Sequence, residues 1–385
     1  MKAVQDVHMC RFCRATGGTL VLDLGEQPPS ELFPPLDAPG PDPVFPLRLW
    51  MCGECGLAQL ADDMDVPEDP QGVQPEALTR QAADAVAQLV SARLLPASGT
   101  VAEFPSPHGG SWLALLAEQG LVPAAAAEPA DVVVDCSFGL MHAHDQAAAM
   151  AERAVAVAPG GLLLVQFQSL ASIVEQREWN AVRHGHFAYY SVPVMRTMMA
   201  EVGLAAFAAF WFPLYGGTVL VAGRAGAEPE ESIETLTKQE IATGVLDPAA
   251  VAALDDVVRI GGARLDDWLL AEQRSGRRVY GYPAASRAVP LLHRAGVRRE
   301  LLAGVADASV AKQGGRIPGS DIPVIGPGDL VDAAPDSVLL FVPDLLDEVR
   351  KAMPGIEAAG GRWVGADEVL ASDRRTGGAG PRHDL

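Results

Sequence analysis

The 385-residue sequence has no uninterrupted apolar run near twenty residues, no massed basic cluster and only five cysteines, and each shortage excludes something. Without a long apolar run there is nothing to build a membrane span from. The opening residues MKAVQDVHMCRFC contain no apolar leader, so a cytoplasmic protein is expected. The 29 Lys and Arg are scattered against 49 Asp and Glu, for a formal charge of −20. Such a surface repels phosphate backbones and anionic lipid, so neither nucleic acid nor membrane is an expected partner. No internal repeat is present. What remains, with 49% hydrophobic and 20% charged residues, is a globular chain long enough for two or three domains.

The few cysteines are arranged informatively. Four form two C-x-x-C pairs, Cys10/Cys13 and Cys52/Cys55. In a cytosolic chain disulfides rarely persist, and two such pairs separated by strand-like segments supply the four thiolates of a closed tetrahedral zinc site. A structural zinc is expected, and a redox pair is the competing reading. Cys136 in VVVDCSF reads as an inert core thiol.

The pattern along the chain divides it into four parts. Residues 1–66, rich in Pro, Gly and Asp, hold strand-like TLVLDL and FPLRLWMC and too little apolar surface to order themselves without the metal. Residues 67–223 open with helical EALTRQAADAVAQLVSARLL and then alternate strand and helix: GTVAEF, WLALLAEQG, DVVVDCSF, DQAAAMAERAVAVA and GGLLLVQFQ. LAAFAAFWFP and GTVLVAGRA read as a closing antiparallel pair. Residues 224–370 begin with an acidic linker, GAEPEESIETL, and a long amphipathic helix. A second α/β unit follows, with strands RRVYGYP, LLAGVADA, DIPVIGP and SVLLFVP. The Gly-rich tail 371–385 is expected to be disordered. The fold class is therefore α/β: a small zinc-binding module, a central Rossmann-like domain and a C-terminal Rossmann-like domain.

The segments MCRFC…LVLDLGEQPPSELF…FPLRLWMCGECGLAQL, HGHFAYYSV, LYGGTVLV, RRVYGYPAASRAVPLL and VADASVAKQGGRIPGSDIPVIGP follow one another in an order that resembles the deoxysugar C-methyltransferases, covering almost the whole chain. That resemblance implies a class I methyltransferase-like middle domain and a nucleotide-linked keto sugar as substrate. The family's base is a histidine in an H-E-H-F loop, and His186 matches it. His142 matches a second histidine near the substrate, with Tyr189 and Tyr190 as further catalytic candidates. Gly185 stands where the family has an acid, and Arg183 where it usually has tyrosine. Arg183, His184, Tyr282, Arg287 and Lys312 are the implied substrate-binding residues.

The donor side departs from the family. The first strand normally leads into E-I-G-S-N-D-G, whereas this chain has EFPSPHGG: Glu103 and Gly109 remain, with Ser106 between them, but Pro105 and Pro107 intrude and His108 replaces the acid. Only 28 residues separate Glu103 from Asp131, about half the family's interval. That spacing predicts loss of the second strand, its helix and the third strand, and with them the ribose carboxylate. Glu128 is the one carboxylate left there. A sheet missing two strands needs its edge covered, by the linker, the helix of 76–95 or a second subunit.

Three readings follow. The first is an enzyme that has dropped S-adenosylmethionine and uses His186 to form an enolate beside a ketone, ending in epimerisation or elimination. The second is an S-adenosylmethionine-dependent C-methyltransferase with an unusual donor site. The third is a non-catalytic partner or scaffold that holds another biosynthetic enzyme or a sugar nucleotide; such a protein has no need of His186, Tyr189 and Tyr190. A homo-oligomer or a biosynthetic partner protein is the expected assembly.

Overall fold

A computed structural model describes residues 8–38, 41–64, 66–69 and 72–371; the tail expectation falls outside them. Among the described residues no helix is long and apolar enough to cross a membrane. The N-terminal module is an antiparallel meander of β1 (Gly18–Gln27), β2 (Phe45–Cys52) and β3 (Ala58–Leu60). The strands TLVLDL and FPLRLWMC lie where the alternation places them, and the two C-x-x-C turns flank β1 and β2.

In the middle domain helix α1 (Glu76–Ser91) precedes β4 (Gly99–Glu103), α2 (Leu113–Ala117), β5 (Leu121–Pro123), β6 (Ala130–Asp135), α3 (Gln146–Val155), β7 (Val157–Gln168) and α4 (Leu170–Glu175). Next come β8 (Ala188–Tyr189), α5 (Val192–Glu201), β9 (Ala205–Phe212) and β10 (Thr218–Arg224). The sheet order is β5-β4-β6-β7-β10-β9, with β10 antiparallel to both neighbours. The closing antiparallel pair is as expected. The extent of the loss is not: α2 and a three-residue second strand, β5, survive beside β4, and the chain then passes directly into β6. The edge is not covered by α1, whose Ala82, Ala85, Val86 and Leu89 pack on the sheet face. It is instead blunted by its shortness and by Pro123, which offers no amide hydrogen to a further strand.

β8 does not join this sheet. It hydrogen-bonds to β3 as the fourth strand of the N-terminal sheet, so the middle domain lends a strand to the zinc module.

The segment read as an acidic linker is partly helical. Helix α6 (Glu231–Ala242) packs on α5 and β9, carrying the middle domain's structure past residue 223. It buries Glu240, which accepts from Ser169 Oγ and from the Val192 amide, both at 2.5 Å. Burial pushes this carboxyl from the usual 4.5 up to about 7. Between those values the folded state keeps a proton that the unfolded chain releases, so the group's effect is to lower stability as pH rises across that window. Glu240→Gln is expected to flatten that decline in urea-unfolding curves from pH 5 to 8; an unchanged slope would remove Glu240 as its source.

Helix α7 (Pro248–Arg274) buries Val251, Leu254, Val258, Leu265 and Leu269, each contributing roughly 1.5–3 kcal/mol. It unites the molecule: one continuous core runs from Leu22, Leu24 and Leu49 of the first sheet, through α7, to Val279 and Val305 of the last. The C-terminal sheet is wholly parallel, from β11 (Val279–Tyr282), β12 (Val305–Ala306), β13 (Val324–Ile325), β14 (Ser337–Leu340) and β15 (Arg362–Gly365), in the order β13-β12-β11-β14-β15. β15 has no period-2 signature in sequence and was not expected.

Candidate functional site

The four paired cysteines converge. Cys10 Sγ lies 3.6 Å from Cys55 Sγ and Cys13 Sγ 3.5 Å from Cys52 Sγ, and all four sulfurs fall within 4.8 Å of one another. A disulfide would need about 2.05 Å, whereas sulfurs around a tetrahedral zinc at about 2.3 Å stand about 3.8 Å apart. The cluster fits zinc, and the redox reading is set aside.

A cavity of about 270 Å³ opens where all three parts of the chain meet. The zinc module contributes Glu31. The middle domain contributes Ser106, His108, Gly109, His142, Arg183, His186 and Tyr215, and the C-terminal domain Tyr282, Arg287, Asp307, Lys312 and Glu348.

Three histidines share one wall, each brought there by its own element. The loop after β4 turns at Gly109 (φ +74°), and the His108 amide donates to Ser106 Oγ. His142 closes a short 3-10 turn after β6; Asp135 anchors that turn by accepting from the Gly139 and Leu140 amides. His186 sits in a loop strung between that turn and β3: the Phe187 amide donates to the Met141 carbonyl, and the Phe187 carbonyl accepts from Leu60. Ring centroids of His142 lie 4.9 Å from those of both His108 and His186.

Burial is the main cause that holds these imidazoles neutral, with nearby cations adding to it. His108 is lowered to about 4 and His142 to about 3, while His186 falls well below its ordinary value. Burial raises the Glu31 carboxyl, but the Arg183 guanidinium, with Lys312 behind it, outweighs that and holds the group below its ordinary value. Arg183 Nη1 donates to Glu31 at 2.5 Å.

Gly185 takes a left-handed φ of +79°. A β-carbon on it would fall 1.9 Å from Glu68 Oε1. The carboxylate that the loop lacks at 185 is supplied beside the same spot by Glu68, whose own carboxyl is raised by burial.

The other expected site residues divide cleanly. Tyr282, Arg287 and Lys312 line the cavity, but the cations are committed: Arg287 lies 3.6 Å from Glu178, and Lys312 Nζ donates to the Ala284 carbonyl at 2.9 Å and lies 3.8 Å from Asp307. Tyr189 and Tyr190 do not reach the cavity. The Tyr189 hydroxyl accepts from the Arg183 amide, and that of Tyr190 donates to Gln146. Both are corrected to structural roles, because as neighbours on and beside β8 they point into packed interiors. His184 faces a different recess and bonds the Pro46 carbonyl. Glu103 is likewise turned away, holding Ser111 Oγ and the Trp112 amide of its own loop. Ser106 and Gly109 do line the cavity. Sequence reasoning missed His108, Glu31 and Glu68. For His108 the signal was the substitution itself, an acid replaced by the residue type already present at 142 and 186.

Fold and site together define a protein with a cysteine-cluster module and a Rossmann-like domain whose loops feed a histidine-lined cavity. Residues 213–366 match the family model of the C-methyltransferase C-terminal domain, and residues 10–68 match a zinc-binding domain model. The chain thus joins an N-terminal zinc-binding domain to a C-methyltransferase C-terminal domain. It is 23% identical over 215 residues to the C-methyltransferase NovU of Streptomyces niveus, a match covering 54% of this chain. That match spans about half the length of the relative. Among solved structures, the chain is similar to the Burkholderia thailandensis 1,6-didemethyltoxoflavin-N1-methyltransferase with bound S-adenosylhomocysteine (11% identity, 44% of this chain, 96% of that chain, TM-score 0.30). It is also similar to the N-methyltransferase NodS of Bradyrhizobium japonicum (15% identity, 41% of this chain, all of that chain, TM-score 0.27). The fold class rests on this chain's own sheet order.

Proposed function

We propose that the protein is an enzyme acting at the carbon next to a ketone without a methyl donor, giving epimerisation or elimination through an enolate. The observation that carries this reading is the exchange on one wall: the loop that should grip S-adenosylmethionine presents His108 to the cavity beside His142 and His186. Supporting it, Glu103 is spent on its own loop, and β5 ends at Pro123, followed by Ala124, with no carboxylate for a ribose. The substrate is a keto sugar or related ketone. Arg183, Arg287 and Lys312 on the lining are offset by Glu31, Asp307 and Glu348. That balance, with about 270 Å³ of space, favours a compact ketone of low charge over its nucleotide diphosphate conjugate.

The carbonyl oxygen is placed at the histidine wall, and the proton leaves into the same cluster. A neutral carbon acid needs an acceptor within hydrogen-bond reach and a group that stabilises the oxyanion. The test is proton exchange in D2O with a keto sugar, free and as its dTDP conjugate, with and without S-adenosylmethionine, alongside calorimetric titration of S-adenosylmethionine and dTDP. Deuterium entering beside the ketone without S-adenosylmethionine, and no micromolar binding of the donor, is the expected result. Methyl transfer to either substrate would overturn the reading and restore an ordinary C-methyltransferase.

A further inference from the structure

We infer that His108, His142 and His186 form a second metal site, a three-imidazole seat for a divalent ion of the zinc class whose remaining coordination position opens onto the cavity. It shares no residue with the cysteine cluster and offers nitrogen in place of sulfur. One ligating atom of each ring lies within 4.8 Å of the other two. Nitrogens around a tetrahedral zinc stand about 3.4 Å apart, so small side-chain rotations close the cluster.

The second observation is independent of that spacing. His142 Nε2 and His186 Nδ1 are buried and have no hydrogen-bond partner, although buried polar atoms normally find one. His186 is only 9% exposed.

Local charge does not bar the ion. The cation in contact with the cluster is Arg183, whose Nη2 lies 3.4 Å from His108 Nε2, with Lys312 and Arg287 also felt by the rings but each beside a carboxylate of its own. Arg183 is paired with Glu31, and Glu68 lies against Gly185 in the same loop. Three neutral imidazoles with one open position are the donor set of catalytic zinc, and imidazole also suits iron, nickel and copper.

The site's chemistry, though not its existence, rests on the ketone reading. The ion holds the carbonyl oxygen together with a water that ionises near pH 7, expanding to five ligands. The C–H bond beside the ketone breaks, its electron pair moves into the enolate on the bound oxygen, and the proton converts the hydroxide to water. This gives the proton an acceptor on the same ion that holds the enolate oxygen.

The test is the metal content of the full chain. After equilibration with micromolar zinc(II) and desalting, the wild-type protein is expected to carry two zinc ions per chain, and His108→Ala and His142→Ala one each, with circular dichroism unchanged. Cobalt(II) added to protein holding one zinc in the cysteine cluster should give ligand-field bands without thiolate charge transfer; should a variant fail to fold, this wild-type spectrum decides. One zinc in the wild type, or two retained in a folded His108→Ala, overturns the site. Because the readout is metal content, the two ideas fail separately: exchange with one zinc removes only the site, and two zincs without exchange remove only the reaction.

Discussion

Cys52→Ser is expected to abolish zinc retention in the cysteine cluster, unfold the N-terminal module and silence the distant cavity. The metal is what the module holds for itself, since the rest of its core, Leu22, Leu24 and Leu49, is shared with α7. Structural zinc in small domains is worth about 10–16 kcal/mol of apparent folding free energy, and here Cys10 and Cys52 sit inside the core that also contains Trp50, Met195 and Val219. The damage cannot stay local. β3 pairs with β8 through Ala58–Tyr189 and Gln59–Ala188, and the Leu60 amide bonds the Phe187 carbonyl, one residue from His186. Removing the metal therefore loosens the strand that fixes the histidine loop. Zinc content, a thermal melt and the exchange assay on the same sample check this together. A variant lacking that zinc yet melting within a few degrees of wild type and fully active would show that the meander orders itself unaided.

Arg153→Met is expected to cost about 3–5 kcal/mol, the range for stranding one partner of a buried ion pair. Asp135 is fully buried at the end of β6, and Arg153 Nε donates to it at 2.6 Å from α3 while also packing over the Phe104 ring. Burial raises the Asp135 carboxyl and Arg153 pulls it back. Without the guanidinium the group takes up a proton more readily, so the cost should be smaller at pH 5 than at pH 8. Asp135→Asn in the same chain should recover part of it, because the side chain still accepts from the backbone of the turn that carries His142. Urea unfolding at the two pH values reads this directly; a loss below about 1 kcal/mol would mean that the pair is dispensable.

The parts of the fold with a strong periodic or spacing signal were legible. The cysteine spacing located the zinc cluster, and alternation located β1 and β2. The apolar runs VVVDCSF and GGLLLVQFQ located β6 and β7. What escaped was short or context-dependent. β5 has three residues and exists only because β4 offers it a partner. Helix α6 was hidden by its acidic opening, since the chain pays for burying Glu240 with hydrogen bonds that no local pattern announces. The site was half legible: His142 and His186 came from the resemblance. His108 sat in a loop whose changes read as damage, and the convergence of Glu31 and Glu68 on the same wall is a property of tertiary packing alone. Tyr189 and Tyr190 misled because closeness to His186 does not by itself put a hydroxyl in the cavity: the Tyr189 ring lies 6.3 Å from that of His186, yet its hydroxyl is turned to the Arg183 amide and that of Tyr190 to Gln146.

The approach of Glu68 to Gly185 also bears on which substitutions the loop accepts. A β-carbon at 185 would fall 1.9 Å from Glu68 Oε1, so a side chain there displaces the flexible carboxylate, and at φ +79° it strains the backbone as well. The left-handed turn, more than the carboxylate beside it, reserves the position for glycine.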